Sequence, residues 1–299
     1  MTVAGRRAWS APAPLLVLVA IASVQVGSAV ARSLFADLGA AGTTLLRLGI
    51  ASVILGVAFR PKVRGWSGPA WRAAVLLGFA MAGMNLLFYL ALRTVPLGVA
   101  VTVEFLGPLL LTLVQTRRLV DLLWALLAGG GVALLGLDPD TVAPLGGLLL
   151  AFAAGLCWAG YILASAHFGT LVPGTGGLAV ALAVSALLVL PFGGAGASAV
   201  LDHPALLPAA TLVALLSSVL SYGLEINALR RLPTRVFGIL MSLEPAGAAI
   251  AGLIVLHQRL GIREVVALLL VSLASLGVTL ARRDPPVTVV PPVTGIPPG

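Results

Sequence analysis

Glu244 stands inside an apolar run, 236–256, that is long enough to cross a bilayer, and Pro245 follows it directly. A carboxylate at mid-membrane costs roughly 2.5–3.5 kcal/mol on insertion scales, so it persists where it faces protein or water rather than lipid. Proline has no N–H to give to the carbonyl four residues back, that of Met241. A charge and a freed backbone acceptor therefore share one depth, the usual way in which a membrane protein builds a polar site at its midplane. Glu104 and Pro108 repeat the arrangement earlier in the chain, the freed carbonyl there being that of Glu104 itself. Pro108 and Pro245 are thus the expected helix breaks.

Arg47 lies near the middle of another apolar run, four residues after Thr43. It has two readings: a guanidinium gripping a small-molecule carboxylate through two parallel bonds, or a structural ion pair with Glu104 or Glu244. The two glutamates divide likewise between binding an ammonium or a coupling proton and merely pairing with Arg47. Other polar residues fall on helical faces. Gln25, Ser28 and Arg32 form one stripe, Glu104, Pro108, Thr112 and Gln115 a second, and Ser217, Ser218, Ser221, Tyr222 and Glu225 a third. Lipid would penalise each face, so all are expected to point inward. Asn85, Tyr89 and Trp158 either line a cavity or serve helix packing. Glu225 either joins the site or makes an interfacial salt bridge with Arg230 or Arg235.

The elements that must hold these residues follow from composition. Of 299 residues, 60% are hydrophobic and only 9% charged, against about a quarter charged in a soluble domain. An integral membrane protein results. Ten helical spans are expected, near 14–31, 40–58, 73–91, 96–115, 122–137, 144–164, 174–192, 206–228, 234–256 and 263–281. The fold class is all-α and polytopic. The net charge of +8 is scattered through short loops, which excludes a nucleic-acid surface. With the N-terminus inside, Arg6, Arg7, Arg60, Lys62, Arg64, Arg72, Arg117, Arg118, Arg230, Arg231, Arg235, Arg282 and Arg283 are cytoplasmic, and only Arg32, Arg93, Arg259 and Arg263 lie outside. That bias puts both termini in the cytoplasm.

The halves resemble each other. Ala91-Leu92-Arg93-Thr94-Val95-Pro96 matches Ala228-Leu229-Arg230-Arg231-Leu232-Pro233 at an offset of 137, and Pro108 falls on Pro245 at the same offset. Five spans per unit make the second copy inverted, an arrangement that places a site at the interface between copies. The units are 1–140 and 141–283, followed by a proline-rich tail, 284–299, expected to be disordered. Zinc-helix, nucleophile-elbow and phosphate-loop motifs are absent, Asp138 and Asp140 are too sparse for a metal site, and no enzyme, metal or cofactor is expected. The single Cys157 excludes an intrachain disulfide.

Four segments carry a resemblance: Ser23 to Ser28 running on to Arg32–Phe35; Thr43–Leu48; Val103-Glu104-Phe105-Leu106-Gly107-Pro108; and Tyr222–Glu225 through Arg231–Arg235 to Ser242-Leu243-Glu244-Pro245-Ala246. Together they resemble the drug/metabolite transporter superfamily in its EamA-type branch, and within it the threonine/homoserine exporters. The resemblance implies a bacterial inner-membrane exporter of small amino acids with a cavity between the repeats and proton antiport. It places Gln25, Arg47, Glu104 and Glu244 among polar cavity residues; Asn85, Tyr89, Trp158, Ser221 and Tyr222 are the further candidates for substrate contact, from the residues themselves. Glu104 and Glu244 are the proton-coupling candidates. Other cargo, an uptake carrier, an intramembrane enzyme and a non-transporting assembly partner are the alternatives. One departure is His257-Gln258 after the ninth span, where many members carry Gly-Glu, which puts any role of that glutamate in question here.

Overall fold

The computed structural model describes residues 12–116, 119–136, 143–172, 174, 176–229 and 231–281. Arg6, Arg7, Arg117, Arg118, Arg230, Arg282, Arg283, Asp138, Asp140, the 140/141 boundary between the units and the tail 284–299 lie outside them, as does the Arg235 side chain.

Every described element is helical. The spans are Ala13–Ser33 (span 1), Phe35–Phe59 (span 2), Gly68–Ala91 (span 3), two half-helices Leu97–Glu104 and Leu106–Thr116 (span 4), Leu119–Gly136 (span 5), Leu145–Leu171 (span 6), Gly176–Ala197 (span 7), residues 206–229 (span 8), Thr234–Met241 and Glu244–Leu256 (span 9), and Ile262–Ala281 (span 10). Nine are long and apolar enough to cross a membrane, and span 5 contributes a shorter apolar stretch, Leu122–Leu135. Prolines set the starts. Pro12, Pro96, Pro144 and Pro233 each occupy the residue before the first helical turn, where a missing N–H costs nothing. Span 6 runs on to Leu171, past the expected end at 164.

Both spans 4 and 9 break, at Phe105 and at Ser242–Leu243. These breaks are equivalent at the offset of 137, as are the helix starts after Pro96 and Pro233. Packing follows the same exchange. Span 3 lies along span 6 as span 1 lies along span 8, while spans 2 and 7, 5 and 10, and 4 and 9 pair with their own counterparts. Spans 2 and 7 meet backbone to backbone, where a Cβ on Gly42 would stand 2.8 Å from the backbone of Gly196 and Ala197.

Leucine, valine and phenylalanine cover the outside: Val57, Phe79, Leu126, Leu187, Phe192 and Ile254 are all about two-thirds exposed. Such a surface suits acyl chains and not water. Inside, alanine and valine fill the helix contacts, and the buried polar side chains gather where spans 1, 2, 3, 4, 8 and 9 converge.

Candidate functional site

A cavity of about 100 Å³ lies at that convergence. Gln25, Arg47, Asn85, Glu104, Trp158, Ser221, Tyr222 and Glu244, expected from sequence as site residues, all line it. Tyr89 does not. It is fully buried behind Arg47, and its hydroxyl accepts a 3.0 Å hydrogen bond from Arg47 Nη1. Its part is to hold the guanidinium.

Two further bonds fix Arg47. Nε donates to Ser218 Oγ at 3.0 Å and Nη2 to the Ser217 carbonyl at 2.9 Å. That carbonyl is available because span 8 widens into a π turn over Leu215–Leu220, where the regular ladder loosens; π turns recur at functional sites for this reason. It also accepts from Ser221 Oγ at 3.0 Å. The ion pair anticipated between Arg47 and Glu104 or Glu244 is not formed: every hydrogen bond of the guanidinium goes to a neutral group. The physical reason is the π turn, which brings the Ser217 carbonyl and the Ser218 hydroxyl close enough to satisfy two of the five guanidinium N–H groups, while the Tyr89 hydroxyl satisfies a third. The remaining two have no hydrogen-bond partner among the described residues and belong to a group that borders the cavity.

Three carboxyl groups share the cavity wall with this one cation: Glu104, Glu225 and Glu244. Gln25 Nε2 donates to Glu244 Oε1 at 3.5 Å, a long bond. No protein group donates to the Glu104 carboxyl among the described residues. Glu225, left between two readings by sequence, lines the cavity; Arg230 and the Arg235 side chain, its alternative partners, lie outside the described residues. The lower half of the span 4 stripe departs from expectation. Thr112 is half-buried and Gln115 exposed, because the break at Phe105 turns the second half-helix away from the cavity.

The kink of span 4 is held by two glycines. A Cβ on Gly107 would collide with the Gly155 carbonyl of span 6, and a Cβ on Gly155 with the Glu104 carbonyl. The carbonyl deprived of its donor by Pro108 thus meets the bare Cα of Gly155, where a weak C–H···O contact is the available partner. Sequence reasoning missed Gly155, and also Met84, Phe88, Tyr161 and Met241 as cavity wall, whereas Ser28 lies where its stripe with Gln25 was expected to point. Tyr161 falls one turn after Trp158, and that spacing was the available signal.

The wall is buried at one end and half-exposed at the other. Gln25, Ser28, Asn85, Phe88 and Val101 are under a tenth exposed, whereas Trp158, Tyr161, Tyr222, Glu225 and Met241 are half-buried. The cavity therefore opens toward the end of the bundle where span 8 finishes. At the opposite end Pro96 is clamped on both sides: Arg32 Nη1 donates to the Val95 carbonyl and the Leu97 N–H donates to Gln258 Oε1, each at 2.9 Å. Gln258 supplies the acceptor that a glutamate would supply. His257 before it takes left-handed angles (φ 54°, ψ 28°), a conformation that favours glycine.

A ten-span helical bundle with a charged cavity between two similarly packed sets of spans defines a polytopic membrane transporter. Comparison with known proteins makes this specific. Residues 145–280 match the EamA-like transporter family. The threonine/homoserine exporter RhtA of Salmonella typhimurium (strain LT2) is 43% identical over 274 residues, 91% of this chain and 92% of that one. The protein of the same name from Escherichia coli (strain K12) is 42% identical over 271 residues, 90% and 92% of the two chains. A solved crystal structure superposes with a TM-score of 0.57 at 19% identity, over 89% of this chain and 96% of its own, which shows a shared fold. The chain belongs to the EamA-like transporter family. The alternative of an intramembrane enzyme falls with that membership.

Proposed function

We propose that the chain exports small amino acids of the threonine and homoserine type across the bacterial inner membrane, by proton antiport with alternating access. The observation that carries the reading is the tethered, unpaired Arg47 facing three carboxyl groups in one buried cavity, in a chain 42–43% identical to exporters so named. A zwitterion needs a cation and an anion at a fixed separation. The two free N–H groups of Arg47 suit its carboxylate, and a cavity glutamate suits its ammonium.

In this mechanism the two units, 1–140 and 141–283, rock about the cavity and expose it to each side in turn. Basic residues put the span 8 end in the cytoplasm, so the cavity as described faces inward and is loaded from the cell. Protonation of a glutamate from the outer side displaces the cargo and drives the return.

The test uses proteoliposomes loaded with labelled threonine. An imposed pH gradient is expected to speed loss of label severalfold, with homoserine competing and larger aromatic amino acids not. Threonine flux that ignores the gradient removes the antiport, and absence of any threonine flux removes the cargo.

A further inference from the structure

The two glutamates nearest the helix breaks differ in which end of a half-helix they occupy. Glu244 is the first residue of Glu244–Leu256, so it sits at an N-terminus, where the aligned peptide dipoles present about half a positive charge. Glu104 is the last residue of Leu97–Glu104, at the end that presents about half a negative charge, which the start of Leu106–Thr116 two residues on partly offsets. Pro108 adds to the second effect by leaving the Glu104 carbonyl without its helical donor.

Hydrogen bonding separates them further. Gln25 spends an amide N–H on Glu244 Oε1, which leaves Gln25 Oε1 and Glu244 Oε2 as neighbouring buried acceptors with no donor. Turning the Gln25 amide end for end would set its oxygen against the carboxylate, so the donor orientation is the one that fits. Buried acceptors rarely go unpaired, and a pair of them beside one negative charge suits a group with several N–H donors and a positive charge, a primary ammonium. Glu104 has no such arrangement. Its carboxyl accepts no hydrogen bond from a protein group among the described residues, and the unpartnered atom of Ser217 on the same wall is a hydroxyl, which can donate as well as accept. The ionisable groups that share its cavity wall or interact with it are Arg47 from span 2, Cys157 and Tyr161 from span 6, Tyr222 and Glu225 from span 8, and Glu244 from span 9. Span 10 carries no ionisable residue from Val265 to Ala281. Arg47, the cation of this set, is held by Tyr89, Ser217 and Ser218. Negative charge is disfavoured at that helix end, and a bound proton removes it.

We infer that the two carboxyls divide the work: Gln25 and Glu244 hold the substrate ammonium, and Glu104 carries the exchanged proton. The inference rests on the reading of the chain as a proton-coupled amino-acid exporter. It is tested in proteoliposomes with two readouts, efflux of labelled threonine driven by a pH gradient and threonine–threonine exchange without one. E104Q is expected to lose at least tenfold more of the driven efflux than of the exchange. E244Q is expected to lose at least tenfold in both.

A third measurement needs no variant. The threonine analogue in which a hydroxyl replaces the ammonium is expected to compete at least tenfold more weakly than threonine in exchange. Exchange lost as heavily as driven efflux in E104Q, driven efflux kept in E104Q, exchange kept in E244Q, or equal competition by the analogue each overturns the assignment while the unaltered protein still transports. No threonine movement by the unaltered protein overturns the exporter reading, and the assignment with it.

Discussion

Spans 4 and 9 are broken at equivalent places and for the same reason, yet what holds each break differs. In span 4 the freed carbonyl of Glu104 presses on the bare backbone of Gly155, and Gly107 presses back on the Gly155 carbonyl. Backbone meets backbone, and nothing there can move aside. In span 9 the first glycine after the break, which is not the positional counterpart of Gly107, meets a soft neighbour. A Cβ on Gly247 would stand 2.7 Å from the Ile21 methyl and 3.7 Å from the Gln25 side chain, groups that can change rotamer. One break is a fixed joint between spans 4 and 6, the other a compliant contact against span 1. A bundle that moves one half against the other gains from having one of each.

Substitution at the two glycine contacts breaks or keeps that distinction with the largest effect. Gly155→Val is expected to destabilise by about 3 kcal/mol, or to prevent folding, since overpacking costs roughly 1–3 kcal/mol even where side chains can yield. Gly247→Ala is expected to cost about 1 kcal/mol or less by the same principle. Thermal unfolding of both in detergent reads the difference; equal losses would mean that the joints are alike.

Gln258→Ala comes next. It removes the acceptor for the Leu97 N–H and with it the bond between the end of span 9 and the start of span 4. A loss of about 1 kcal/mol is expected, as for a typical hydrogen bond, together with greater reactivity of a cysteine placed at Val95 toward a water-soluble thiol reagent. Unchanged reactivity would show that Arg32 alone keeps that end shut.

The smallest effect is a gain. His257→Gly relieves a left-handed backbone at the end of span 9 and is expected to stabilise by about 0.5–1 kcal/mol, seen as a rise in Tm. No change would mean that the neighbouring bonds from the His257 and Gln258 N–H groups to the Gly252 carbonyl already absorb the strain.

The spans and most of the cavity were legible because lipid enforces a simple rule. A polar side chain in a twenty-residue apolar run must face inward, so Gln25, Arg47, Glu104 and Glu244 declare themselves. Their partners do not, since which span lies beside which is set by packing that sequence periodicity does not encode. Tyr89 looked like cavity wall because it shares a face with Asn85. Its exclusion depends on the exact rotation of span 3 against span 2. Arg47 looked committed to a carboxylate because opposite charge is the cheapest partner visible in a sequence. The carbonyl of Ser217 became competitive through an irregular turn that no residue type announces. Gly155 was one of many glycines, and its contact with Glu104 appears only once spans 4 and 6 are laid together.

That irregular turn has a consequence of its own. The π turn over Leu215–Leu220 holds one residue more than an α-helical turn, and each residue of a helix accounts for about 100° of rotation. Remove one residue there and everything downstream on span 8 swings by that angle, taking Ser221, Tyr222 and Glu225 off the cavity together while Ser217 closes into the ordinary ladder and lets Arg47 go. The chemistry of the pocket is thus set by a count of residues as much as by their kinds: a sequence one residue shorter between Ala214 and Ser221 would keep every polar side chain named above and lose the place where they meet.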